Sequence, residues 1–83
     1  SIKSPNKYSG ILLQNTLHSV INNNIIVDDR STKIMKSAIE EEGRSDYNII
    51  TDNRVSKGSS NDIVIKGVNT KREGNIIYWI EEA

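Results

Sequence analysis

The feature that most constrains the fold lies in residues 58–83, which read GSSNDIVIKGV, NTKREG and NIIYWIEEA. Two short runs rich in β-branched side chains flank a polar segment carrying Gly, Asn and Thr, the composition of strands joined by a turn. The expectation is an antiparallel hairpin of 62–68 and 75–81. Asp62 opens its first strand, and Glu81 and Glu82 close its second. If Val68 faces Asn75, the same register sets Asp62 opposite Glu81, with Cβ atoms about 4.5–5.5 Å apart. Facing carboxylates repel unless something positive lies between them. Mg2+ or Mn2+ takes such oxygens and keeps waters that can be activated against a phosphodiester. Asp62 and Glu81 are therefore the candidate metal ligands.

The rest of the chain supplies two expected helices. Leu13, Leu17, Val20 and Ile21 fall at i, i+4, i+7 and i+8, an amphipathic pattern with Ser9 as N-cap. Asn22, Asn23 and Asn24 stop it, because asparagine tolerates the left-handed conformation that ends helices. Ile25 to Val27 is a short strand or a link. A second helix begins near Asp29 or Ser31, buries Ile34, Met35, Ala38 and Ile39, and closes at Gly43. Strands follow at 47–51, 62–68 and 75–81, with a polar loop between the first two. The fold class expected is α+β, two helices followed by a three-stranded, mainly antiparallel sheet. Residues 1–8, with the single proline, are an arm or linker, and 9–83 form one small domain. No internal repeat is evident.

Only 35% of the residues are hydrophobic and 27% are charged, yet Ile and Val recur in tight runs, which argues for a folded domain over disorder. The chain has no cysteine, which removes disulfides and thiolate metal sites and mildly favours a cytosolic or nuclear-type compartment. No apolar run approaches the roughly 20 residues that span a bilayer, so no membrane partner is expected. Net charge is zero, but residues 53–72 hold Arg54, Lys57, Lys66, Lys71 and Arg72 against the single Asp62. Arg54, Lys57, Lys71 and Arg72 are the candidate phosphate-contacting residues. Upstream, Glu40, Glu41 and Glu42 crowd the end of the second expected helix, where the helix dipole disfavours carboxylates.

The segments AIEEEG (38–43), GSSNDIVI (58–65) and NIIYWIEEA (75–83) together resemble the core of the PD-(D/E)xK endonucleases, with Holliday-junction resolvases the nearest type. The resemblance implies that Asp62 and Glu81 hold a metal and that one of the three glutamates, with Glu40 as the candidate, completes the catalytic site. The lysine that the family places two positions after its second acid is replaced by Ala83. The leading expectation is a domain acting on DNA or RNA, with a nuclease-like and degenerate metal site. Two alternatives stand beside it: a noncatalytic module that meets a protein partner or a second copy of itself, and a ribonuclease-type toxin fragment with His18 as base.

Overall fold

A computed structural model describes residues 8–30 and 32–78. In chain order its strands are β1 (Ile11–Gln14), β2 (Val20–Asn22), β3 (Ile25–Ile26), β4 (Ile39–Glu42), β5 (Ile49–Thr51), β6 (Arg54–Ser56), β7 (Ile63–Val64), β8 (Lys71–Glu73) and β9 (Ile76–Tyr78). Every third strand stacks on the last. β1, β4 and β7 form one sheet, β2, β5 and β8 a second, and β3, β6 and β9 a third. All pairings are parallel. The chain thus winds through three successive coils, each contributing one strand to each face of a parallel β-solenoid, and each coil bonds its neighbour along the stacking axis.

The expected α+β class is corrected by this arrangement. Among the described residues there is no helix, and no antiparallel pair. The helical spacing of Leu13, Leu17, Val20 and Ile21 arises from two short strands separated by a corner. Leu13 is buried and Ile21 packs on the core, whereas Leu17 and Val20 are 54% and 58% exposed. Ser9 caps nothing; its hydroxyl bonds the Glu40 carboxylate at 2.7 Å. In the second expected helix, Met35, Ala38 and Ile39 are indeed buried. They reach the core from a loop and from the start of β4. That loop is folded around the buried Asp28, whose carboxylate accepts the amides of Arg30, Ile34 and Met35 and the Arg30 Nε. Burial alone would raise its pKa; Arg30 and the three amides outweigh burial and hold the carboxyl far below its usual range.

Among the described residues the hairpin expected of 62–68 and 75–81 is also absent. β7 pairs with β4 in the register Ile63↔Ile39, and β9 pairs with β6 in the register Ile76↔Arg54. Strand alternation explains the core. Within a coil every second residue points inward, and parallel registry stacks like on like: Ile11–Ile39–Ile63 in the first sheet, Ile26–Val55–Ile77 in the third. These columns carry the apolar contacts, so a chain lean in hydrophobic residues still fills its interior.

Two short corners separate the second and third sheets from what precedes them, and both repeat from coil to coil. Asn23 (φ 56°), Asp52 (φ 56°) and Gly74 (φ 69°) share the left-handed conformation at one. Each is followed by an asparagine: Asn24, Asn53, Asn75. Asn53 Nδ2 donates to Asn75 Oδ1 and to the Ile21 carbonyl, at 3.0 Å each. Asn53 Oδ1 accepts the Asn24 amide at 3.0 Å and Asn24 Nδ2 at 3.1 Å. The sequence does contain a repeat, then, of a left-handed residue, an asparagine and an apolar inward residue two places on. Its spacing is irregular, 29 residues and then 22.

Asn53→Ala strands the part-buried Asn24 amide and Ile21 carbonyl around a side chain that is itself fully buried, and should lower unfolding free energy by about 2–4 kcal/mol. Ile25→Ala, at a side chain 75% exposed, should change it by no more than about 0.5 kcal/mol. Urea denaturation of both variants checks this, and equal effects would contradict the column.

Candidate functional site at the aromatic corner

The other corner, between the first and second sheets, carries unusual residues. Here the left-handed positions are Asn15 (φ 50°) and Gly43 (φ 68°), directly after β1 and β4, and then His18 (φ 55°) and Tyr47 (φ 56°). Asn, Asp and Gly adopt this conformation readily, and His more than most, but a bulky tyrosine does so rarely. The two rings lie one coil apart, centroids 5.2 Å from each other and planes within 21°. Tyr47 is 52% exposed.

A buried polar lattice presents this pair. Leu17 bridges Asp46 in parallel fashion, and the Thr16 amide donates to Ser45 Oγ at 3.1 Å. One step further, the Ser19 amide donates to Asn48 Oδ1 (2.9 Å) and the Asn48 amide to Thr70 Oγ1 (3.2 Å), a second coil-to-coil column beside the first. Asn48 Nδ2 bonds the Thr16 carbonyl and Glu41 Oε2. Asp46 accepts its neighbour's amide, that of Tyr47, and both the amide and Nδ2 of Asn69 from the next coil. Tyr47 is thus flanked by residues tied on both sides.

Glu41 is the centre of that lattice. It stands at the inward position aligned with Leu13 and is almost wholly buried. Four donors meet it: Asn48 Nδ2 at 2.7 Å, Thr70 Oγ1 at 2.6 Å, and the amides of Lys66 and Gly67 at 2.9 and 3.0 Å. Burial pushes its pKa up, but these four bonds push harder and leave it lowered. The loop of the third coil is consequently docked on a carboxylate of the second. The fit is close at Gly67, where a Cβ would fall 2.6 Å from Asp46 Cα and the Ser45 carbonyl.

Of the residues singled out from the sequence, His18, the base of the toxin alternative, is part of this corner, and the other described ones lie on other segments, with Asp62 and Arg72 near each other. Glu40 lies on the outer side of β4, bonded by Ser9 Oγ and by Lys36 Nζ at 2.9 Å. Burial raises its pKa, and those two bonds together with the charges of Lys36 and Lys66 bring it below the usual value. Asp62 precedes β7, accepts the Ile63 amide and stands 4.0 Å from Arg72 Nη1. Glu81 lies outside the described residues. Arg54 is on the outer side of β6, its Nη1 bonded to Tyr78 Oη at 3.0 Å, and Lys57 is exposed beyond that strand. Lys71 and Arg72 are neighbours on β8, but Lys71 aligns with the outward Ile49 and Arg72 with the buried Ile50; Arg72 Nη1 bonds the Ile63 carbonyl at 3.3 Å. The cations therefore divide among different faces. Among the described residues, no three His, Asp or Glu side chains converge as a metal site would require, and no helix is long and apolar enough to cross a membrane.

Tyr47 and Asn48 were missed as site residues because they begin what reads as an ordinary strand. The available signal was the pairing of His18-Ser19, Tyr47-Asn48 and Asn69-Thr70, each a corner residue followed by a small polar one. No family model matches the chain, and no curated protein or solved structure matches it.

Because Glu41 titrates lower folded than unfolded, the unfolded chain binds more protons in the window below the ordinary value of 4.5. Its contribution is complete above that pH and is lost as pH falls through the folded pKa. Glu41→Gln should cost about 1–3 kcal/mol at neutral pH, since its amide nitrogen meets a donor, and should flatten the acid limb of a stability-versus-pH curve. An unchanged acid limb would contradict the assigned role.

Proposed function

We propose that this chain is a noncatalytic solenoid module that holds an extended partner along the corner between its first and second sheets. The observation that carries the reading is Tyr47: a half-exposed ring held in a left-handed backbone conformation, in line with His18, on a rigid buried lattice. Bulky residues in that conformation cost about 1–3 kcal/mol and persist where the surroundings over-determine them, commonly at ligand clamps. At the neighbouring corner the same conformation is taken by Asn23, Asp52 and Gly74, which accept it easily. A corner needs no aromatic residue for folding, so the ring answers to something outside the chain.

The carboxylates support the same reading. Glu41, Asp28 and Glu40 are each engaged in holding one segment of chain to another, and among the described residues Arg54, Lys71 and Arg72 do not gather on one face.

Tyrosine nitration tests this without assuming a ligand, since the chain has three tyrosines and Tyr8, half exposed like Tyr47, serves as internal reference. Protein, nucleic-acid and polysaccharide fractions of a cell extract are added in turn. Protection of Tyr47 relative to Tyr8 by one fraction is the expected result. Uniform nitration with all three fractions would sink the proposal.

A further inference from the structure

The first coil ends the solenoid in an unshielded edge, and we infer that a second copy of the chain covers it, the two solenoids meeting head to head about a two-fold axis. The inference goes beyond the corner reading above and does not depend on it. β1, β2 and β3 each stand at the edge of their sheet, as β7, β8 and β9 do at the opposite end. Natural edge strands are shielded by charge, including charge at inward positions. The two ends differ in this respect. β8, Lys71–Glu73, is charged and exposed along its whole length, and Arg72 takes the inward place of the column begun by Ile21 and Ile50. The Thr70 amide, third in the column of Ser19 and Asn48, turns back on the Gly67 carbonyl at 3.3 Å.

No such shield guards the first coil. Residues 8–27 contain no Asp, Glu, Lys or Arg, and Leu12, Leu17 and Val20 are 47%, 54% and 58% exposed. Charges begin one coil further in, where Glu40, Glu42, Asp46 and Arg54 align with Leu12, Gln14, Leu17 and Ile25. At the exit of the first coil Asp29 is exposed, and Asp28 and Arg30 pair with each other. The polar side chains point the same way. In later coils they reach the coil before: Asn48 Nδ2 donates to the Thr16 carbonyl, Asn53 Nδ2 to that of Ile21 and Asn75 Nδ2 to that of Ile50. In the first coil, Thr16 Oγ1, Ser19 Oγ and Asn24 Nδ2 turn onto carbonyls of their own coil, two residues back.

The chain itself fits this edge. An uncharged edge is matched by an uncharged edge, and hydroxyl and amide groups, donor and acceptor at once, meet their own kind without mismatch. A two-fold axis across the solenoid reverses strand direction, so the edges pair antiparallel and one patch is complementary to itself. Head-to-tail stacking would instead set Arg72 of one copy on the apolar Ile21 of the next.

Sedimentation equilibrium and thiol cross-linking test this, since a chain without cysteine reports cleanly through single introduced thiols. The wild-type chain should sediment at twice its own mass. Val20→Lys gives β2 the residue that Lys71 places in the same column of the third coil, so the fold accepts it. It should weaken the dimer about tenfold or more, by the charge it brings to the edge, while the side-chain amide signals of Asn53 stay in place. Val20→Cys should join to itself through a short bismaleimide, and Lys71→Cys should not. A monomer at every concentration, a dimer that survives Val20→Lys, or cross-linking only when the two cysteine variants are mixed would overturn the proposal.

Discussion

Everything in this fold leans on the hydrogen bonding of one coil to the next through asparagine side chains at a corner. A parallel strand of two or three residues is a weak structure by itself, with few ladder bonds and little buried surface. Such strands stay in register here because Asn53 grips the coils on both sides, accepting from Asn24 and donating to Asn75 and the Ile21 carbonyl. The amide supplies both a donor and an acceptor, so one residue type propagates the column without an end-to-end mismatch. The neighbouring corner does the same with Ser19, Asn48 and Thr70, different side chains that keep the donor and acceptor directions.

The ring pair depends on those columns. His18 and Tyr47 come into line only because the coils beneath them are in register, and Asn48, next to Tyr47, is locked into Glu41. Glu41 in turn fixes the loop of the third coil through the amides of Lys66 and Gly67. An ionised carboxylate facing a core is costly unless fully hydrogen-bonded; here four donors satisfy it. What reads in the sequence as an acidic block at a helix end is three residues of one strand with alternating roles. Glu40 and Glu42 face outward, and Glu41 is buried between them.

Several local features were legible and their context was not. Of the run Asn22 to Asn24 only Asn23 (φ 56°) is left-handed, as is Gly43 (φ 68°), and both sit at corners between strands and not at helix ends. Residues 47–51, 62–68 and 75–81 each contain a strand, yet their partners are coils away and parallel, where adjacency in sequence suggested a hairpin. The first supposed helix shows why periodicity failed: residues of two short strands and the corner between them fall near helical spacing although Leu17 and Val20 face solvent. The repeat stayed hidden because the coils differ by several residues in length and the second column changes residue type at each turn. Tyr47 was marked in the sequence only by the faint pairing of His18-Ser19, Tyr47-Asn48 and Asn69-Thr70, since its meaning comes from a backbone angle.

The central claim is that three coils stack in parallel, joined by the column of Asn24, Asn53 and Asn75. The most direct measurement is a set of nuclear Overhauser contacts from the side-chain amide protons of Asn53. The account predicts contacts to both Asn24 and Asn75, together with contacts from the Arg54 backbone to those of Ile25 and Ile76. Contacts between Val68 and Asn75 across a hairpin, with helical contacts through residues 9–21, would contradict it.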